Sequence, residues 1–170
     1  MAKHLFIIRH AKSDWSFGVS DFDRPLNPRG FRNAPEMADR LVAYTDQPPI
    51  VKPQMLVSSP AKRAITTAQI FAKHLGIPVH EIVQEPSIYE AMPHGLLEII
   101  NRLDNRAESV AFFGHNPGFT ALVNYLGDKD LYNLTTSGIV HLRFDDTDDW
   151  AEISRGTGTN VWHAEPVKED

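Results

Sequence analysis

Apolar positions along this chain fall into two alternating patterns: short unbroken runs, and longer stretches in which they recur every three or four residues. Leu5-Phe6-Ile7-Ile8 is the first run. It is too short for a helix and half β-branched, so it predicts a fully buried strand that stops at the basic pair Arg9-His10. A polar loop rich in Ser, Asp and Gly occupies residues 11–27; it is longer than a plain connection and is expected to cover or line a site. Asn27-Pro28 reads as an N-cap with proline opening a helix, and Phe31, Ala34, Met37, Ala38, Leu41 and Val42 keep helical spacing behind it. Pro35 is expected to kink or delay that helix. Beyond the proline-bearing crossing at 47–53, Met55-Leu56-Val57 predicts a second buried strand. Ser59-Pro60 is expected to cap the next helix, which carries Ala61, Ile65, Ala68, Phe71, Ala72 and Leu75 inward and ends at Gly76.

The second half repeats the alternation. Residues 79–84 read as a strand, and Ser87-Ile88-Tyr89-Glu90 as a turn toward a helix containing Leu96, Leu97, Ile99, Ile100 and Leu103. Val110-Ala111-Phe112-Phe113 predicts another strand. It ends in Gly114-His115-Asn116-Pro117-Gly118, before an apolar helix through Leu122, Val123, Tyr125 and Leu126. Residues 139–144 and 150–153, joined by an acidic turn, resemble an antiparallel hairpin, while 157–170 show no periodicity and read as a loosely packed tail. Strands alternating with helices predict an α/β fold: a three-layer α/β/α sandwich with a mostly parallel central sheet, in one domain spanning residues 1–170.

Composition narrows the function. No apolar run approaches the ~20 residues needed to span a bilayer, and the strand follows Met-Ala-Lys-His directly, so no membrane partner is expected and the location is read as cytoplasmic. The absence of cysteine removes disulfides, thiol nucleophiles and cysteine-based zinc sites. A net charge of −5 argues against a nucleic-acid partner, so an anionic substrate would have to find its positive charge locally.

That local charge is visible at the strand ends. Arg9 and His10 follow the first strand, Arg63 lies in the first turn of the helix after the second, Glu90 follows the third, and His115 follows the fourth. In open α/β sheets ligands bind at the carboxyl edge, where all of these can meet. Two arginines and two histidines there would hold a tetrahedral dianion, since guanidinium forks match phosphate oxygens; the main-chain N–H of Asn116 and the helix beginning near Gly118 would add donors. There is no Gly-Lys-Ser or Gly-Lys-Thr phosphate loop. Taken singly, each residue has a plainer reading: Arg63 as a solvated helix residue, His115 as a turn histidine, Glu90 as a surface carboxylate. His4, His74, His80, His94, His141 and His163 lack ligand spacing, and the acidic run at 145–149 reads as a solvated turn, so neither a metal nor a cofactor is expected.

Several motifs taken together resemble one family. Leu5-Phe6-Ile7-Ile8-Arg9-His10-Ala11, Ser58-Ser59-Pro60 with Arg63-Ala64 and Thr67-Ala68, Ile88-Tyr89-Glu90, and Gly114 to Gly118 are similar to the histidine phosphatase superfamily, also called phosphoglycerate-mutase-like. Residue types and spacing look nearest to its SixA-type phosphohistidine phosphatase branch, where Arg24-Pro25-Leu26 to Gly30 also recurs. The resemblance implies the phosphoglycerate-mutase-like fold and a phosphatase that works through a phosphohistidine enzyme intermediate without a metal. His10 would take the phosphoryl group, Arg9, Arg63 and a protonated His115 would hold it, and Glu90 would protonate the leaving group. Ala11 and Ser16 stand where many members have glycine and mutases have asparagine; Ser16, and Ser13 beside it, still offer hydroxyls to phosphate. About two dozen residues separate Arg63 from Glu90, which predicts an open pocket able to admit a histidine-phosphorylated carrier domain. A small phosphoester substrate, or a silent phosphate-binding module, remains compatible with the same residues, and the oligomeric state is not legible.

Overall fold

The first strand lies inside the sheet, and the fold is built outward from it. In a computed structural model, which describes residues 2–15 and 18–168, β1 (Lys3–Arg9) pairs with parallel β4 (Ser109–Gly114) on one side and antiparallel β5 (Ile139–Phe144) on the other. Outside these, β2 (Met55–Ser58) lies parallel to β4, β3 (Val83–Gln84) parallel to β2, and β6 (Thr159–Ala164) antiparallel to β5. The order is β3-β2-β4-β1-β5-β6. Helices α1 (Pro28–Thr45) and α2 (Lys62–Leu75) cover one face, and α3 (Pro93–Asn101) and α4 (Gly118–Leu126) the other.

Two cores explain why the first apolar run is unbroken. Leu5 and Ile7 pack with Val110, Phe112, Leu96 and Leu122, whereas Phe6 and Ile8 pack with Met37, Leu41, Phe71 and Phe113. All four β1 residues are 0% exposed, so each contributes about 1.5–3 kcal/mol of burial and none has a solvent face to leave polar. The predicted sandwich, with its mostly parallel sheet, is therefore the fold observed.

Some local expectations are corrected. The strand expected over 79–84 is a 3-10 turn at Val79–Glu81 followed by two exposed edge residues, Val83 and Gln84. Residues 150–152 form a capped 3-10 turn: Asp149 accepts from the Ala151 N–H, and buried Trp150 donates from Nε1 to the Ala107 carbonyl at 2.8 Å. The partner of β5 is instead β6, drawn from the supposed tail; its alternation is obscured by a register shift opposite His141/Leu142 and by Trp162, which stacks on Tyr44 at 3.8 Å. The helix runs unbroken through Pro35, with Ala34, Met37, Ala38 and Leu41 buried around it. Asn27 caps α1 as expected, accepting from the Gly30 N–H at 2.8 Å, and Gly76 ends α2 in the left-handed conformation. Ser59-Pro60 does not supply the cap of α2; Ala61 occupies that position, and the Ser59 hydroxyl accepts from the Ala61 N–H instead.

The chain just after β1 is pinned at Lys12 across the first turn of α1. The Lys12 carbonyl accepts from the Asn27 N–H and lies so near Gly30 that an added Cβ would stand 2.1 Å from it. Gly30→Ala is therefore expected to destabilise the protein by about 1–3 kcal/mol, read as a lowered urea midpoint, because main chain must move rather than a side-chain tip.

At the opposite end of β1 a buried polar chain is fully satisfied. His4 Nδ1 and His141 Nε2 lie 2.9 Å apart, and Tyr44 Oη meets His141 Nδ1 at 2.7 Å. Burial pushes His141 down to about 3, with His4 and Arg143 adding to the shift. The unfolded chain, whose histidines titrate near ~6.5, then binds more protons than the folded one between those values. Stability from this group is whole above ~6.5 and is lost as pH falls, with a slope of up to about 1.4 kcal/mol per pH unit. Urea unfolding between pH 7 and 5 should show that decline, and His141→Gln should make it shallower.

Candidate active site

Adjacent strand ends deliver the basic residues to one place. Arg9 sits opposite Gly114, and Ser58 opposite Phe113, so His10, Ser59 and His115 leave neighbouring strands side by side. The end of β1 is locked: Arg9 N–H donates to Gly138, His10 N–H to Gly114, and the Ser137 N–H to the carbonyls of both Arg9 and His10. Ser137 holds a φ of 61°, a strained value for a residue with a side chain, to make that double contact.

His10 is 6% exposed, and its Nδ1–H donates to the Ala11 carbonyl at 2.7 Å, which leaves the Nε2 lone pair free to act. Ala11 N–H donates to Thr67 Oγ1, whose own hydroxyl donates to the Arg63 carbonyl. Thr67 thereby ties the loop after the nucleophile candidate to the turn that carries Arg63. Arg63 binds the Asp21 carbonyl at 2.7 Å and its carboxylate at 3.2 Å; Arg9 donates to the Leu134 carbonyl at 3.0 Å. The His115 Nε2 lies 2.8 Å from Ser59 Oγ, and its ring centre is 5.3 Å from that of His10. These four residues line one cleft of about 440 Å³.

Its electrostatics are those of a site built to take an anion. Arg9 Nε, Arg63 Nε and His115 Nδ1 are buried without a hydrogen-bond partner. Burial, followed by His115, Arg63 and Arg9 and opposed by the Ala11 carbonyl, lowers His10 to about 3. His115 falls to about 4, through burial and then Arg63 and Arg9, with Asp21 opposing. Both rings are thus neutral at pH 7, which suits His10 as a nucleophile but corrects the expectation of a protonated His115 in the protein by itself.

The other expected residues divide. Glu90 is exposed and lines the cleft beside Tyr89. Asn116 lines it too, but its side-chain amide donates to Asn133 and Leu134 and its carbonyl oxygen accepts twice from Thr120; it is a brace, leaving only its main chain toward a ligand. Ser13 accepts from Arg24 at 2.6 Å, and Ser16 lies outside the described residues. Gly118 is required by close approach, since a Cβ there would stand 2.1 Å from the Ala91 carbonyl in the turn that carries Glu90.

Sequence reasoning missed Asp21. Its carboxylate gathers Arg63, Arg24 and the Tyr89 hydroxyl, and the Tyr89 hydrogen bond leads the effects that hold it down to about 2. The available signal was its place three residues before Arg24, with Ser20 and Asp23 closing the turn between them.

The family model for the histidine phosphatase superfamily (branch 1) matches residues 5–93. An uncharacterized protein of Mycobacterium tuberculosis is 32% identical over 164 residues, 91% of this chain and 96% of its own. The candidate phosphohistidine phosphatase SixA from Agrobacterium tumefaciens superposes with a TM-score of 0.77 at 27% identity, over 96% of this chain and 98% of that one. The protein histidine phosphatase SixA complexed with tungstate superposes with a TM-score of 0.73 at 24% identity, over 96% and 97% of the two chains.

A dianion entering the cleft favours the charged form of His115, so binding should draw in a proton that the ring does not hold on its own. Sulfate, which stays doubly charged, is expected to bind more tightly as pH falls from 8 to 6. Calorimetry in buffers of different ionisation heat should register the uptake, and Arg63→Ala should weaken binding about tenfold or more.

Proposed function

The chain belongs to the histidine phosphatase superfamily, and on that footing we propose that it removes phosphate from phosphohistidine on a protein, through a phosphorylated His10. The observation that carries this reading is the set of three buried, partnerless nitrogens on Arg9, Arg63 and His115 around an unprotonated His10. Three acceptor oxygens on one phosphorus would satisfy them together.

In the first step His10 Nε2 attacks phosphorus, the P–N bond to the substrate imidazole breaks, and the departing nitrogen takes a proton from solvent or Glu90. The Ala11 carbonyl, accepting from Nδ1–H, steadies the positive charge that grows on the ring. In the second step water attacks the phosphorus of phospho-His10, the P–Nε2 bond breaks and the water gives up a proton to Glu90 or solvent, releasing phosphate and restoring the neutral ring with its Nδ1–H. Phosphoryl transfer depends on positioning and on stabilising charge over the equatorial oxygens, and Arg9 and Arg63 supply that charge without a metal.

The mouth of the cleft suits a protein better than a small molecule. Trp15 is 76% exposed and stacks over the Arg24 guanidinium at 3.6 Å, and Met92 is 51% exposed on the cleft lining. Phe22, also exposed, stacks on Tyr89. Between α2 and α3 lie only short turns and the two-residue β3, with no inserted segment to close over a small ester.

The test is a labelled, histidine-phosphorylated carrier domain, quenched in alkali because the P–N bond is acid-labile. Wild type should become transiently labelled in the presence of chelator, His10→Ala should never label, and Arg9→Ala should turn over about 10²–10³-fold more slowly. Glu90→Ala should cost little on this substrate, since imidazole leaves readily, but about 10²-fold or more on an alkyl phosphate ester. Equal turnover of carrier and ester by the wild type would sink the phosphohistidine assignment.

A further inference from the structure

Beside the catalytic cleft, and sharing Arg9, Lys12 and Thr136 with it, lies a second cleft of about 330 Å³. Arg29 and Asn33 of α1, Thr135 and Lys168 line its remaining wall. Four of the chain's 17 lysines and arginines thus meet in one place on a protein of net charge −5. Against these four cations the described lining residues include one carboxylate, Glu165, whose Oε1 lies 3.1 Å from His163 Nε2.

Asn33 gives this cleft its meaning. It is 5% exposed, it lines the cavity, and among the described residues its side-chain amide makes no hydrogen bond. Its neighbours Ala34, Met37 and Ala38 are core residues, so an apolar side chain would serve packing at least as well. A largely buried amide that lines the cleft beside cations can offer its N–H groups to an acceptor from outside the chain. The Thr135 hydroxyl, also in the lining, is buried without a partner.

We propose that the second cleft is an anion subsite, which receives an acidic group carried by the same molecule as the phosphoryl group held in the catalytic cleft. The inference rests on the phosphohistidine reading when that group is a carboxylate of the partner protein close to its phosphohistidine; a second phosphate on a small molecule offers the same chemistry. Arg9 lines both cavities and would face an anion in each. Specificity then resides in α1 and Lys168, away from the atoms that react.

Two measurements test it. Sulfate titration followed by NMR should move the Asn33 side-chain amide pair, identified by its loss in Asn33→Ala, and should still do so in Arg63→Ala, where binding at the His115 ring is weakened. An Asn33 amide that stays still while His115 saturates in the wild type would overturn the subsite. In kinetics, Asn33→Ala and Lys168→Glu should each raise KM for the phosphorylated carrier domain about tenfold, leaving kcat and all p-nitrophenyl phosphate constants unchanged. A rise seen only with a bisphosphorylated small molecule would keep the subsite and overturn the protein substrate. No change in KM for either substrate would overturn the subsite itself.

Discussion

Positive charge that the chain only partly compensates, at the end of a buried sheet, is the constraint on which this molecule depends. Arg9 and Arg63 are close enough that Arg63, after burial, depresses the ionisation of Arg9, and both arginines depress the two histidines between them. Such a cluster is held only because the surrounding structure over-determines it: β1 is paired on both sides, Ser137 clips its end, and Thr67 joins it to α2. Strain and unsatisfied donors persist there because the cores on either face of the sheet stabilise the fold around them.

Asp21 shows how the cluster is kept from being costlier. It is a carboxylate on the loop, half exposed, bound to Arg63 and Arg24 and not to Arg9 or His10. One carboxylate facing two guanidiniums offsets part of their charge and leaves the cleft positive. The same contacts organise residues 20–24 and stack Phe22 against Tyr89, so the loop that shapes the mouth is ordered by the charge it borders.

Most of this was legible because it depends on short-range rules. A doubly buried strand must be apolar throughout, a parallel sheet gathers the residues just past its strands at one edge, and Asn27 and Gly76 mark helix ends by chemistry that needs no tertiary context. The illegible parts depend on distant partners. β6 is a strand because β5 needs one, although its own residues scarcely alternate, and Trp150 leaves the sheet because Ala107 and Lys3 offer its ring a buried place. Asn116 was read for its main-chain N–H, and the bracing of its side chain by Thr120, Asn133 and Leu134 depends on partners the motif does not contain. The charge state of His115 likewise depends on its burial and then on Arg63 and Arg9, far away in sequence.

Burial of polar groups alone does not mark a site, and the two ends of β1 make the point on one strand. His4 and His141 are as hidden as His10 and His115, and burial lowers all four. At the far end each ring nitrogen facing the core is answered, His4 by His141 and His141 by Tyr44, so nothing is left for a ligand to supply. At the carboxyl edge the corresponding account does not close: three nitrogens stay unmatched among side chains that could have been apolar at lower cost. What separates structural histidines from chemical ones here is the hydrogen bond that the folded chain declines to make for itself.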